Sequence, residues 1–135
     1  KLDHLMAGGQ PYGLSLGENL EKECAEEASI PPELARRAVA TGSVRYRMDT
    51  AAGVRNDRLF TYDLELPADF EPVAHDGEVA WFQRWPVERV IARVREEPEA
   101  FKFNVPPVHV DFFLRHGLVT LDEAGGEAVA RLLHA

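Results

Sequence analysis

The 135-residue sequence holds one cysteine, Cys24, so no disulfide can form within the chain and a cystine-stapled scaffold is excluded. It contains no apolar run near the roughly 18 residues that a membrane-crossing helix requires, and its start shows no secretory signal pattern. Positive charge is scarce: 15 Lys and Arg stand against 23 Asp and Glu, a formal charge of −8 at pH 7. Such a chain repels polyanions, which argues against general nucleic-acid binding. The five histidines, His4, His75, His109, His116 and His134, have no ligand spacing, so a zinc site is not supported. Internal repeats, low-complexity tracts and linkers are also missing. The expectation is a cytoplasmic protein without membrane or nucleic-acid partners. With 45% hydrophobic and 28% charged residues, the chain suits one domain with one core. It begins at Lys1 instead of Met, which fits a piece of a longer protein.

Local patterns divide the chain. Leu2 to Met6 reads as a short strand entering a loop at Gly8-Gly9. Ser15 and Glu18 have capping-box spacing, and Leu16, Leu20, Cys24 and Ala28 recur every four residues, so an amphipathic helix runs to about Ser29. A second short helix is expected over Pro32 to Val39. Alternation from Ser43 to Asp49 puts Val44, Tyr46 and Met48 on one face, and from Arg58 to Leu66 it does the same for Phe60, Tyr62, Leu64 and Leu66, predicting a hairpin. Glu78 to Trp85 is a third strand candidate. Helices are expected over Val87 to Arg95, from about Pro107 to His116, and over Gly125 to Ala135.

The chemistry-bearing stretch is residues 8–30, GGQPYGLSLGENLEKECAEEASI. On a helix turning about 100° per residue, Glu23, Glu26 and Glu27 fall in a sector roughly 100° wide, while Glu18, Glu21 and Lys22 point elsewhere. An acidic run on an amphipathic helix is ordinarily a solvated face. Here a Gly-Gly turn precedes it, and Glu27 lies near the buried Leu20 and Cys24 direction. Converging carboxylates repel one another unless a cation intervenes, and a hard divalent ion with oxygen ligands, magnesium or alternatively manganese, suits them. Cys24 falls on the apolar stripe as a core residue.

The same stretch resembles the Nudix box, G-x5-E-x7-R-E-U-x-E-E-x-G-U with U apolar. Lys22 to Ile30 falls on R-E-U-x-E-E-x-G-U, with Lys22 for Arg and Ser29 for the last Gly, and Gly8 has the motif spacing. Leu14 stands where the box has its first Glu. Further segments, LDHLMAGGQP, YDLELPADF, DGEVAWFQRWP and FKFNVPPVHVDFFLRHGLV, are similar to the Nudix subfamily related to the hydrolase portion of fungal thiamine pyrophosphokinase fusions. The resemblance implies an α/β fold, a Nudix-type α/β/α sandwich with a mixed β-sheet, lacking here its N-terminal strands and an upstream domain. It implies magnesium-dependent cleavage of a small-molecule diphosphate, with thiamine diphosphate or its oxo and oxy derivatives as candidates.

By the same resemblance, Glu23 and Glu27 are metal ligands, and Glu26 binds a second metal or holds coordinated water. Gly8 and Gly9 lend backbone to the metal and phosphate region. Glu78, before an apolar run, is the candidate general base beside Glu26, its alternative being a surface acid flanking a turn. Arg45 and Arg47 share a strand face and are candidate phosphate clamps, although such pairs are more often solvated. Two other readings stay open: a non-catalytic Nudix domain that binds a ligand, motivated by Leu14 and Ser29, and an isopentenyl-diphosphate-isomerase-like enzyme.

Overall fold

The computed structural model describes residues 1–75 and 77–134; Asp76 and Ala135, read from sequence as part of a loop and of the last helix, lie outside the described residues. The chain forms two compact units, one of Lys1–Leu2, Ala40–Tyr62 and Pro86–Ala135, the other of Asp3–Val39 and Asp63–Trp85.

In the second unit, helix α1 covers Leu16–Ala28 and starts where the local chemistry dictates. The Ser15 hydroxyl accepts the Glu18 N–H at 3.2 Å, and the Glu18 carboxylate accepts the Ser15 N–H at 2.8 Å. Two N–H groups that the helix cannot satisfy internally are thereby paired. The four-residue apolar recurrence places Cys24 and Ala28 fully inside, where they cluster with Ile30 and Ala35. Met6, Leu20, Leu34, Leu64, Leu66, Phe70 and Phe82 close around that cluster. The helix ends at Ser29, whose φ of 56° is left-handed. Helix α2 is only Pro32–Ala35, shorter than expected, because β-branched Val39 already opens a strand.

Glu78 to Trp85 is not a strand: the sheet among the described residues has two strands, and this run finds no partner in it. Side chains hold it instead. Phe82 packs on the core cluster, and the Arg84 guanidinium donates to the carbonyls of Ala68 and Phe70 at 2.5 and 3.1 Å.

The first unit is built on an antiparallel hairpin of β1, Val39–Thr50, and β2, Gly53–Asp63. Both strands run closer to the turn than their alternation predicts, since Gly53 takes φ 121° and Thr50 Oγ1 donates to the Gly53 carbonyl at 2.7 Å. Val44 is fully buried, as expected. On β2 the inward face is inverted: Thr61 is buried and Phe60 is 48% exposed. A cross-strand hydroxyl bond from Thr41 Oγ1 to Thr61 Oγ1, 2.8 Å, satisfies the buried polar group.

Helices α3, Val87–Glu96, α4, Val105–Arg115, and α5, Glu123–His134, complete this unit, with a 3₁₀ turn at Pro98–Ala100. Helix α4 begins two residues before the expected Pro107, because prolines in a first turn lack only N–H groups that would have no helical partner. Phe101, Val105 and Phe113 are buried there. Asp111, also buried, pairs with Arg115 at 2.8 Å and His134 at 3.3 Å, while His134 Nδ1 meets the Ser43 carbonyl at 3.0 Å; α5 is thus fastened to α4 and β1. The strand expected at Leu2 to Met6 reduces to a single parallel bridge, Leu2 to Phe101. The fold is mixed α/β with a small antiparallel sheet and helices, consistent with a Nudix-type fold.

Candidate functional site

The loop before α1 and the acidic face of that helix meet within the second unit. Glu27, partly buried, accepts the Ala7 N–H on Oε2 at 2.8 Å. One residue on, Gly8 lies directly beneath the Glu23 carboxylate: a Cβ built on Gly8 would overlap its carbon and both oxygens. Only glycine allows that approach. The Glu23 side chain is 12% exposed, so its carboxylate is held at the loop instead of waving in solvent.

Glu26 behaves differently. Its side chain is 51% exposed, and its carboxylate is held by Lys22, whose ammonium lies 3.0 Å from Glu26 and 2.9 Å from Glu23. The hydrogen bonds to Glu23 and then to Glu26 raise the Lys22 pKa above its ordinary 10.5. Helical spacing placed all three carboxylates in one sector; among the described residues, no group of three or more His, Cys, Asp or Glu is gathered to hold a metal. The structure brings Glu23 and Glu27 to adjacent points of the loop and joins Glu26 to Glu23 through Lys22.

That donor set fits magnesium. Mg2+ does not need an all-protein cage, being usually bound by one or two carboxylates with substrate phosphates and water completing its shell. Glu23 and Glu27 are the residues that would hold it, hard oxygen donors beside Gly9, which has no side chain to obstruct a ligand. The Lys22 ammonium already bridges Glu23 and Glu26, so two carboxylates accept positive charge in this arrangement.

Asn19 was not singled out by sequence reasoning. One turn ahead of Glu23 on α1, it is 7% exposed, and its Nδ2 donates to the Gly9 carbonyl at 3.1 Å. A short amide at the edge of the apolar stripe was the available signal. A Cβ built on Gly9 would meet nothing within 4 Å among the described residues beyond its chain neighbours. Ser29 explains one departure from the motif: it adopts the left-handed backbone that favours glycine there, and its hydroxyl donates to the Val73 carbonyl at 2.6 Å. Leu14, 37% exposed, brings no carboxylate; its carbonyl accepts from the Gln10 amide at 2.6 Å.

Glu78 lies exposed in the irregular run of the same unit. Arg45, partly buried, and Arg47, exposed, sit on β1 and belong to the hairpin unit. Cys24 is fully buried, and burial above all, with the charges of Glu27, Glu21 and Glu23, pushes its thiol up to about 11, as befits an inert core residue.

No family model matches the sequence. Among individual proteins, the chain is 48% identical over 124 residues to the Arabidopsis thaliana protein "Nudix hydrolase 20, chloroplastic", covering 92% of this chain and 33% of that protein. It is 49% identical over 125 residues to "Nudix hydrolase 24, chloroplastic" of the same plant, covering 93% and 34% respectively. An uncharacterized Saccharomyces cerevisiae protein is 33% identical over 131 residues, covering 88% of this chain and 38% of its own. The chain therefore spans about a third of the length of these relatives. Two of them are named as chloroplastic, so similarity does not point to the cytoplasm; no helix among the described residues is long and apolar enough to cross a membrane. Across more than nine-tenths of its length this chain is similar to a segment of two plant proteins named as Nudix hydrolases.

Proposed function

We propose that this chain carries the metal-binding helix of a magnesium-dependent Nudix hydrolase that cleaves a small-molecule diphosphate. The observation that supports it best is the close seating of the Glu23 carboxylate on Gly8, with Glu27 anchored on the neighbouring Ala7 N–H. Bound magnesium, or manganese, would neutralise the diphosphate and lower the pKa of water for attack on phosphorus. Glu23 and Glu27 supply the ligands; the missing side chain at Gly8 makes room for the Glu23 carboxylate itself, and the open backbone at Gly9 leaves room for phosphate oxygens. Glu26, tied to Glu23 through Lys22, orients water at the edge of the site. The water's proton must pass to a carboxylate. Glu26 and Glu78 are the candidates, both exposed and both in this unit.

Thiamine diphosphate and its oxo and oxy derivatives are the first substrates to examine, on the four segments that resemble the thiamine-related subfamily. The test is phosphate and monophosphate release from a panel of diphosphates, with magnesium and with chelator, by this chain and by a version extended to the length of its relatives. Chelator-sensitive release that disappears in Glu27→Gln supports the proposal, since glutamine keeps an oxygen for the Ala7 N–H while losing the charge. Release that persists in Glu27→Gln refutes the assignment. A second reading, a Nudix domain that binds without hydrolysing, is favoured by Leu14 where the motif has a carboxylate; it predicts saturable diphosphate binding with no release from either version.

A further inference from the structure

Asn19 is an expensive residue to place where it stands. Its side chain is buried, its Nδ2 is spent on the Gly9 carbonyl, and its Oδ1 is buried with no hydrogen-bond partner among the described residues. A buried amide oxygen left unpaired is destabilising, and an apolar residue of the same shape would avoid the cost. Leucine is such a residue, and Asn19 adjoins Leu20 on the same helix.

The position of the amide shows what it accomplishes. Asn19 and Glu23 are four residues apart on α1, so they share one face of the helix. Asn19 grips Gly9 while the Glu23 carboxylate lies on Gly8, so two successive turns of α1 grip two successive glycines. The bond from Nδ2 to Gly9 holds the loop at the separation in which Glu23 can rest on Gly8. Asn19 Oδ1, on the same amide, is an acceptor beside that clamp, and a water or another donor at the site is the partner that would satisfy it.

We propose that Asn19 is a positioning residue for the candidate metal site, clamping the glycine turn against α1 so that the Glu23 carboxylate is correctly placed, with Oδ1 receiving a donor from the site. This rests on the hydrolase reading above. Groups that orient metal ligands from behind commonly change metal affinity or activity by about 10–100-fold when removed.

The decisive variant is Asn19→Leu, which preserves the branched shape and removes both polar atoms. Three quantities are measured: melting temperature, Mn2+ binding by electron paramagnetic resonance, and kcat and KM with the best diphosphate of the panel. The expected result is a melting temperature equal to or above the parent's, Mn2+ affinity lowered about tenfold, and kcat lowered about 10–100-fold with KM changed less than about threefold. Stability and activity moving in opposite directions is what a packing role does not produce. Parent-like Mn2+ affinity and kcat in Asn19→Leu overturn the proposal. Glu23→Gln separates the two levels: if it too binds Mn2+ like the parent, the metal-site reading itself fails, whereas loss in Glu23→Gln alone defeats only the role of Asn19. Should Asn19→Leu not fold, the side-chain NH2 resonances of Asn19 in the parent decide, because they must shift on adding Mg2+, and unmoved resonances reject the clamp.

Discussion

Adding one methyl group at Gly8 tests the geometry of the site with little disturbance of the fold. In Gly8→Ala the new Cβ overlaps the Glu23 carboxylate, so that group must withdraw by on the order of 1 Å to regain van der Waals separation. The obstructing atoms are the free end of a flexible side chain, and Gly8 is not in the left-handed region, so alanine fits the backbone. Relocating Glu23 costs about 1 kcal/mol of rotamer strain at most, and the stiffer unfolded chain returns about 0.4–1 kcal/mol. Stability should therefore change by less than about 1 kcal/mol. Activity should not be spared, because a displacement of about 1 Å at a reacting centre costs on the order of 100-fold. The assay pairs urea denaturation with magnesium-dependent phosphate release. Gly17→Ala is the control: the same methyl is added inside α1 where nothing lies within 4 Å, and it should stabilise by about 0.5–1 kcal/mol without loss of activity. Equal activity in the two variants, or a loss of several kcal/mol in Gly8→Ala, would refute the reasoning.

Four further outcomes follow from the helix that carries the site. Ser29→Ala keeps the left-handed strain and loses the hydrogen bond to Val73, so it should destabilise by about 1 kcal/mol, whereas Ser29→Gly relieves the strain and should lie within about 1 kcal/mol of the parent; equal denaturation midpoints for the two would contradict this. Ser15→Ala removes half of the capping box and should cost about 1 kcal/mol at neutral pH. The backbone and side-chain hydrogen bonds to Ser15 lower the Glu18 pKa below its ordinary 4.5, so the contribution of Glu18 is complete above that value and fades as pH falls through the lowered one; amide exchange at the start of α1 should quicken only on acidification below about pH 4.5, and a pH-independent rate pattern after correction for intrinsic exchange would be the contrary result. Cys24, fully buried, should resist a thiol reagent at pH 8 in the native state and react on unfolding in urea; rapid native labelling would show that the core around α1 is not closed.

Signals confined to a few neighbouring residues survived folding intact. Ser15 and Glu18 set the start of α1, the recurrence of Leu16, Leu20, Cys24 and Ala28 set its buried face except at Leu16, which is exposed in the first turn, and the proline-bounded helices α3 and α4 fell within two residues of their expected starts. Helix caps and periodicity act over one or two turns, so they can be read without knowing what the helix touches. The acidic run was legible for the same reason.

Other features depended on partners distant in sequence. The alternation on β2 favoured Phe60 and Tyr62 as the inward residues, but the hydroxyl pair of Thr41 and Thr61 took the buried position across the hairpin. Glu78 to Trp85 carries a strand's composition, yet a strand exists only with a neighbour, and Phe82 and Arg84 fasten the run by their side chains. Helical spacing located Glu23, Glu26 and Glu27 to one sector, but which carboxylate rests on the loop was decided by Gly8, the Ala7 N–H and the Lys22 ammonium. The sequence by itself determined the helix that bears the acids and the glycines that precede it, because backbone propensity and capping are local. Only the tertiary structure decided that Glu23 lies on Gly8, that Asn19 grips Gly9 and that Glu26 turns to solvent, because the direction of a long side chain is set by whatever the fold brings within its reach.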